Sequence, residues 1–279
     1  MVDANPFFPF GSGPGSPEGG EPVAPMVPTA DPAWMRIPLS RLPEGGETTL
    51  PLASGAKTIL AAWEVRPGEL LTVTDPAGGF HRGRLLGGGE AVTLIGALPP
   101  HLEPPCRRTL AQAIPDKERM AWVIEKGVEL GATGIRPLMT RRSFGWGAFQ
   151  PRQDKSATWS RIARRAARQC RRATLPQVLP PMTLSDFLDL PESRETLLFL
   201  DLPGIGAPLW RLAPRLWSTP LTLVVGPEGG WDPEEREAMA AVGAIPATLG
   251  ARVLRTETAG PAALALFASV DEAFTPVPV

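Results

Sequence analysis

Two short segments near the carboxyl end of the chain contain residue types that suit the binding of a small ligand. The first is GPEGG at Gly226–Gly230, directly after the apolar run Leu221–Val225. Glycines around a proline let the backbone approach a ligand closely and expose its N–H groups. The carboxylate of Glu228 could accept a hydrogen bond from a ligand hydroxyl or ammonium. A glycine-rich strand-to-helix turn without a ligand fits the same residues, so the segment is either a binding loop or only a turn.

The second segment, LGARVLRTETA at Leu249–Ala259, alternates charged and apolar residues just before the last predicted helix. Arg252, Arg255 and Glu257 would lie at the top of an apolar strand and close to the first loop. Charged residues in that position are typical of a pocket wall. The alternative is an intrachain ion pair between an arginine and Glu257 that caps the helix.

A third segment is strongly basic. Between Pro137 and Thr174 the only acid is Asp154, and a helix with an arginine-rich face is predicted to begin at Ser156. A solvated face usually mixes both signs of charge, and like charges repel unless a polyanion or an acidic neighbour offsets them. Because guanidinium groups suit phosphate, the segment predicts a phosphate-backbone partner, with a merely solvated face as the alternative. Its arginines include Arg141, Arg142, Arg161, Arg164, Arg165, Arg168, Arg171 and Arg172.

A parallel α/β sheet is the element pattern that would position the first two segments. After Arg107, short apolar runs alternate with helical patterns, as at Leu197–Asp201 and Leu221–Gly226, which predicts strands buried on both faces. Helices are predicted to open at Asp116, at Ser156, at Asp232 and at about Thr258. Ligands bind at the carboxyl ends of such strands, where the GPEGG loop lies.

The part of the chain before Arg107 has a different composition. From Trp34 to Leu98, short β-like runs separated by Pro and Gly predict a small β-barrel. Prolines between Pro99 and Pro105 predict a stiff linker, and the Pro- and Gly-rich start predicts a disordered tail. The predicted domains are therefore a tail at 1–32, a barrel at 33–100 and an α/β domain at 105–279.

Composition excludes several classes of protein. The 28 basic and 29 acidic side chains give a formal charge of −1, so there is no overall basic excess. The spacing of Cys106, Cys170, His81 and His101 suits neither a disulfide framework nor a zinc site. No apolar run reaches the ~18–20 residues of a membrane span, and no signal-peptide pattern occurs. We therefore predict a cytoplasmic protein with no metal and no membrane contact.

Taken together, the motifs resemble the bacterial 16S ribosomal RNA uridine-N3 methyltransferases (the RsmE type) of the SPOUT superfamily. LTLVVGPEGGWDPEEREAM is followed by LGARVLRTETAGPAALALF at the separation found in that family. Upstream, AQAIPDKERMAWVIEKGVELGATGIRPLMTRRS and ARQCRRATLPQVLPP are similar to further family segments. The resemblance is strong over about residues 107–267 and weak over about 34–98.

The resemblance implies a trefoil-knotted domain with a parallel sheet, preceded by a PUA-like β-barrel that binds RNA, and a homodimer. It implies transfer of a methyl group from S-adenosyl-L-methionine to N3 of a specific uridine in 16S rRNA of the small ribosomal subunit. The implied cofactor-binding residues are Leu200, Asp201, Leu202, Pro203, Gly226, Pro227, Glu228, Gly229, Gly230, Leu249, Gly250, Arg252, Val253, Leu254 and Thr258.

The chemistry requires removal of the N3 proton and stabilisation of charge on the uracil oxygens. Under the resemblance, Arg255 or Arg172 is the stabilising cation and Glu257 the orienting residue or base. The N3 atom lies on the Watson–Crick edge, so the base must be unpaired or extruded. The predicted RNA-binding residues are Arg36, Arg141, Arg142, Arg161, Arg164, Arg165 and Arg168. The alternatives are a SPOUT-type 2′-O-ribose methyltransferase and a catalytically silent RNA-binding module.

Four positions depart from the family's pattern. Arg168 replaces a frequent glutamate, and Cys170 replaces the usual serine. In the barrel, Lys57 lies near the position of a histidine, and Glu64 stands at that of an arginine. The charge reversal at Glu64 affects the RNA contacts expected of the barrel and leaves the methyltransferase core intact.

Overall fold

The computed structural model describes residues 35–143, 156–190 and 195–274. The tail predicted at residues 1–32 lies outside them. Two sheets account for the described strands, one on each side of the proline-rich segment near residue 100. Within the described ranges, no helix is both long and apolar enough to cross a bilayer, and no three His, Cys, Asp or Glu side chains gather as a metal site would need.

The amino-terminal unit is a five-stranded sheet with the strand order β1-β3-β4-β5-β2. The pair β1–β3 is parallel and the other pairs are antiparallel. A single antiparallel bridge between Leu39 and Leu52 joins its two edges. The predicted strands are confirmed, whereas the helix α1 was not predicted. The elements are β1 (Ile37–Pro38), β2 (Thr49–Pro51), α1 (Ala56–Trp63), β3 (Leu70–Thr74), β4 (Phe80–Leu85) and β5 (Ala91–Leu98).

The turn at Pro76–Gly79 connects β3 to β4, and Asp75 organises it. One oxygen of the Asp75 carboxylate accepts hydrogen bonds from the backbone N–H groups of Ala77 and Gly79, each at 2.9 Å. The other lies 2.7 Å from Nε2 of His81. Burial acts to raise the pKa of Asp75, but these hydrogen bonds outweigh it and hold the pKa below its usual value.

The carboxyl-terminal unit is a parallel sheet flanked by helices, as predicted. Its strand order is β11-β13-β10-β12-β6-β7-β8, with β9 also paired to β7, and these pairings are all parallel. The elements are β6 (Arg108–Ala113), α2 (Lys117–Glu129), β7 (Gly134–Met139), α3 (Ser156–Gln169), β8 (Gln177–Val178), β9 (Met182–Thr183), α4 (Leu184–Leu188), β10 (Thr196–Leu200), β11 (Ala207–Pro208), α5 (Leu209–Leu216), β12 (Leu221–Val225), α6 (Pro233–Ala241), β13 (Ile245–Thr248) and α7 (Thr256–Phe274).

Local sequence explains where these helices begin. The Asp116 side chain accepts a hydrogen bond from the backbone N–H of Arg119 and so caps α2. Asp232 and Glu235 form a reciprocal capping box at α6, with Pro233 at its first position. Helix α7 begins at Thr256, two residues earlier than predicted, and this places Glu257 in its first turn.

The two units meet along α3. The Arg164 guanidinium donates to the carbonyl of Ala62 at 2.9 Å and pairs with Glu64 at 2.9 Å. Arg168 donates to the Glu64 carbonyl at 3.3 Å and pairs with Glu69 at 2.5 Å. One face of the predicted basic helix therefore packs against acids of the amino-terminal unit.

Candidate functional site

A cavity of about 410 Å³ opens at the carboxyl ends of β10 and β12. Segments 200–203, 226–230 and 249–254, which contain most of the cofactor-binding residues implied by the resemblance, meet at this cavity. The cavity is lined by the loop after β10, the loop after β12, the segment between β13 and α7, and the first turns of α2 and α7. The lining residues are Arg119, Leu200, Asp201, Leu202, Pro203, Val225, Gly226, Pro227, Glu228, Gly230, Trp231, Leu249, Gly250, Arg252, Val253, Leu254, Arg255, Thr256 and Ala259.

Trp231 fixes the loop after β12 against the end of β10. Its indole is buried, and Nε1 donates a hydrogen bond to the carbonyl of Leu200 at 2.8 Å. A Cβ atom on Gly226 would lie 2.9 Å from the indole ring, so any larger residue at 226 would force the indole to move. The close approach of ring and backbone explains why glycine begins this loop.

A hydrogen-bonded chain fixes the start of α7 to two central strands. Nε2 of Gln112, in β6, donates to Oγ1 of Thr256 at 2.8 Å. The Thr256 hydroxyl in turn donates to the carbonyl of Gly226 at 2.5 Å. Because Thr256 is buried, these hydrogen bonds hold the segment Leu249–Ala259 and the GPEGG loop at a fixed separation.

Asp201 lines the cavity, but its carboxylate is already occupied. Arg236 donates to both of its oxygens, at 2.7 and 2.9 Å, and the backbone N–H of Leu202 donates to Oδ1 at 2.8 Å. The hydrogen bond with Asp201 raises the pKa of Arg236. A bidentate pair of this kind fixes the loop after β10. Sequence reasoning missed Arg236 because it lies 35 residues from its partner.

Two residues predicted to bind the cofactor, Gly229 and Thr258, lie outside the cavity lining, and their contact with a cofactor stays a prediction. The carbonyl of Gly229 accepts a hydrogen bond from Arg142 at 3.1 Å, and a Cβ at 229 would meet Cβ of Arg142 at 3.1 Å. The close neighbour of Gly229 is therefore Arg142. Thr258 is exposed, and Thr256 lines the cavity in its place.

Arg172 is not a cavity residue, so its predicted catalytic role is corrected. Its side chain is 3% exposed, and its Nε lies 3.0 and 2.9 Å from the two carboxylate oxygens of Glu103. It also donates to the carbonyls of Val128 and Ala132. A guanidinium enclosed in this way supports the fold and cannot reach a substrate.

The predicted RNA-binding arginines fall into two groups. Five contact the chain itself: Arg36 donates to Thr174, Arg164 and Arg168 meet Glu64 and Glu69, and Arg141 and Arg142 pair with Asp232. Burial lowers the pKa of Arg36. Arg161 and Arg165 are exposed, and neither forms an ion pair with the described residues. For Arg164 and Arg168 the offsetting charge comes from acidic neighbours of the amino-terminal unit, and a phosphate-backbone partner for the helix stays a prediction.

The ion pair suggested for Arg255 and Glu257 forms with a different arginine. Nε of Arg119 lies 3.7 Å from Oε1 of Glu257, and Nη1 of Arg119 pairs with Glu228. Arg252 and Arg255 are exposed, and the described residues supply no ion-pair partner to either. Sequence reasoning missed Arg119; its only signal is its place in the first turn of a helix after a central strand.

Comparison with known proteins identifies the family. The model of the family described as "RNA methyltransferase domain" matches residues 102–268. "Ribosomal RNA small subunit methyltransferase E" of Synechocystis is 35% identical over 205 residues, which cover 72% of this chain and 66% of that protein. The protein of the same name from Mycobacterium tuberculosis is also 35% identical, over 72% of this chain and 78% of its own length.

Solved structures agree with this result. A ribosomal RNA small subunit methyltransferase E from Neisseria gonorrhoeae bound to S-adenosyl methionine is 32% identical, with a TM-score of 0.54 over 82% of this chain and 95% of that one. A putative methyltransferase from Legionella pneumophila in complex with the same cofactor is 29% identical, with a TM-score of 0.58 over 84% and 97%. The resemblance stated from the motifs is confirmed: the chain belongs to the family of ribosomal RNA small subunit methyltransferase E.

Proposed function

We propose that this chain methylates N3 of a specific uridine in 16S rRNA of the small ribosomal subunit, with S-adenosyl-L-methionine as the methyl donor. Methylation of small-subunit rRNA with this cofactor is the activity of the family. The single observation that supports it in this chain is the cavity at which segments 200–203, 226–230 and 249–254 meet. The choice of uridine N3 rests on the family resemblance of the GPEGG and LRTETA segments.

The residues around the cavity fit this cofactor. A volume of about 410 Å³ lies within the range of roughly 300–1,000 Å³ for small-molecule sites. Apolar walls at Leu200, Val225 and Leu254 suit an adenine ring, and backbone groups of the three segments suit its polar edge. Bound there, the cofactor supplies a methyl group on a positively charged sulfur.

The chain itself must hold the base and manage charge. Arg255 lines the cavity and is free of an ion pair within the described residues, so it is available to stabilise negative charge on the uracil oxygens. Glu257 follows two residues later, and we assign it the orienting role or the role of proton acceptor. Arg161 and Arg165 are the exposed cations that suit the RNA backbone.

The resemblance extends the proposal to architecture and assembly. The carboxyl-terminal unit, assigned to residues 105–279, would be a SPOUT domain with a trefoil knot. The unit at 33–100 would be a PUA-like barrel, a proposal that the bridge between Leu39 and Leu52 supports because it joins the edges of the sheet. The active form would be a cytoplasmic homodimer.

Nucleoside analysis tests the proposal. The full chain is incubated with S-adenosylmethionine and small ribosomal subunits from a strain lacking this activity, and the digested rRNA is analysed by mass spectrometry. The expected product is 3-methyluridine. A 2′-O-methylated nucleoside would overturn the proposal in favour of ribose methylation. RNA binding without any methylated product would favour a silent RNA-binding module.

A further inference from the structure

We propose that Arg82 and Arg171 form a binding site for one backbone phosphate of the RNA substrate, at the junction between the two units. Arg82 lies in β4 of the amino-terminal unit, and Arg171 follows α3 of the carboxyl-terminal unit. Neither residue is among the RNA-binding arginines predicted from the sequence. The inference rests on the proposed function, which makes RNA the partner, and it names a point at which both units hold the same strand.

The backbone of Arg171 has a conformation that residues other than glycine rarely adopt. Its φ is 66°, in the left-handed region. The N–H of Arg172 donates to the carbonyl of Ala167 at 2.9 Å, so Arg171 occupies the position after the helix end at which glycine is usual. An arginine there carries a conformational cost that glycine avoids, and residues held in this way cluster at ligand-binding sites.

Thr72 of β3 brings the two arginines together. Its hydroxyl donates a hydrogen bond to the carbonyl of Arg171 at 2.8 Å, across 99 residues of sequence. Thr72 is also the cross-strand partner of Arg82, and Nη1 of Arg82 lies 3.4 Å from the same hydroxyl oxygen. Because Thr72 is buried, this contact fixes the backbone of Arg171 beside the side chain of Arg82.

Neither Arg82 nor Arg171 forms an ion pair with the described residues. Burial and the nearby charge of Arg171 both lower the pKa of Arg82. Like charges that lie close together repel each other, and an anion bound between them would replace this repulsion with attraction. The acids at this junction already pair with other arginines: Glu64 with Arg164, Glu69 with Arg168 and Glu103 with Arg172.

A phosphodiester of RNA is the anion that suits this pair. Arg171 is exposed and Arg82 is partly exposed, so an anion from solvent can reach both side chains. The planar guanidinium group donates pairs of N–H bonds to phosphate oxygens. Helix α3, which has the exposed cations Arg161 and Arg165, ends at Gln169, two residues before Arg171. The proposed site therefore extends the positive charge of α3 to the amino-terminal unit.

Binding of 16S rRNA to variants of the full chain tests the inference. Arg82→Gln and Arg171→Gln are each expected to weaken the affinity by about 10-fold at a fixed salt concentration, the lower end for a hydrogen bond to a charged group. Filter binding provides the measurement. Arg41→Gln is the matched control, because it removes a cation of the same unit that is already paired with Glu47, and it should leave the affinity almost unchanged. Unchanged affinity in both test variants would overturn the inference.

The double variant shows whether the two arginines hold the same phosphate. Arg82→Gln combined with Arg171→Gln should weaken binding by clearly less than the product of the two single effects, because the second substitution acts on a site that is already broken. The salt dependence should flatten by roughly 0.7–0.9 in logarithmic slope, the value for one phosphate. Multiplicative losses with about twice this change in slope would show two separate contacts and would overturn the shared site.

Measurements without RNA separate the proposed site from a structural role and from a site for a free anion. Because each substitution relieves repulsion, the melting temperature of either single variant should stay the same or rise. A fall in melting temperature with unchanged RNA affinity would overturn the inference in favour of a structural contact at Thr72. Stabilisation of the wild type by inorganic phosphate, lost in a double variant of normal RNA affinity, would assign the pair to a free anion instead.

The failure of this inference differs from the failure of the proposed function. Wild-type protein that makes no 3-methyluridine would overturn the proposed function and leave the binding measurements as they are. Variants at Arg82 and Arg171 that bind 16S rRNA as the wild type does would overturn the phosphate site alone.

Discussion

The sequence suggests that the arginines of α3 have no ion-pair partner and that Arg255 has one. The structure shows the reverse for Arg164, Arg168 and Arg255. In the sequence, α3 contains no acidic residue, whereas Arg255 stands two residues from Glu257. In the structure, Arg164 and Arg168 are neutralised by Glu64 and Glu69 of the other unit. Arg255 is left without an ion pair among the described residues because Glu257 turns to Arg119. Neighbours in the sequence therefore do not identify the partner of a charge.

Two departures from the family's pattern lie at this contact between the units. Arg168, which replaces a frequent glutamate, pairs with Glu69 and donates to the backbone carbonyl of Glu64. The carboxylate of Glu64, which stands at the position of an arginine, pairs with Arg164. Both changed residues therefore form ion pairs between the units, but their two side chains do not pair with each other.

The largest expected effect tests whether the arginine at the end of the α3 segment is structural. Arg172→Met should destabilise the fold by about 3–5 kcal/mol, because it leaves the Glu103 carboxylate buried without its cation. Chemical denaturation measures the loss. The neighbouring exposed Arg171→Met is the control and should change stability by less than about 0.5 kcal/mol. A stable Arg172→Met protein that binds cofactor but no longer methylates would return Arg172 to the catalytic site.

At the cavity, Arg255→Ala should act on the rate and not on the fold. A loss of about 10²-fold in the single-turnover rate is expected, the scale for removing one preorganised donor, with little change in cofactor affinity. Arg255→Lys should recover only part of the rate, because it keeps the charge and loses the planar fork. A variant that is stable and methylates at the normal rate would remove Arg255 from the mechanism.

Replacing the exposed arginines of α3 should weaken RNA binding without affecting stability. Arg161→Gln combined with Arg165→Gln should flatten the salt dependence of RNA affinity by roughly 0.7–0.9 in logarithmic slope for each phosphate that the protein no longer neutralises. Filter binding across a range of salt concentrations provides the measurement. Arg211→Gln with Arg215→Gln on α5 removes the same charge elsewhere and is the control. An unchanged slope would make this face of α3 merely solvated.

The smallest effect concerns the ion pair of Glu64 with Arg164 between the units. Glu64→Arg should destabilise the protein by about 0.5–1 kcal/mol, since Glu64 is more than half exposed and solvent screens its pair. Adding Arg164→Glu should restore part of the loss, and the double-variant cycle gives the coupling. Purely additive changes in melting temperature would show that the two positions do not compensate each other.

Most of the fold could be predicted, and the reason is local. Apolar runs such as Leu221–Val225 and caps such as Asp232 with Glu235 depend on residues that are close in sequence. The cavity segments 226–230 and 249–254 could be identified because parallel strands bring their carboxyl ends to one edge, whereas 200–203 was implied only by the family resemblance. The ion pairs between segments could not be predicted. The pair of Arg119 and Glu228 is an example, because only tertiary packing brings these two residues together.

The pair of Glu103 and Arg172 has a consequence for how the chain can be cut. The prolines of the segment near residue 100 predicted a stiff linker. Glu103 in this segment is nevertheless 5% exposed, and it also accepts hydrogen bonds from the backbone N–H groups of Ala173 and Thr174. A fragment beginning at residue 105 would keep the guanidinium and lose its counter-ion. The carboxyl-terminal half is therefore expected to fold on its own only if the cut precedes Glu103. The proline-rich segment near residue 100 thus contributes to the stability of the half that follows it.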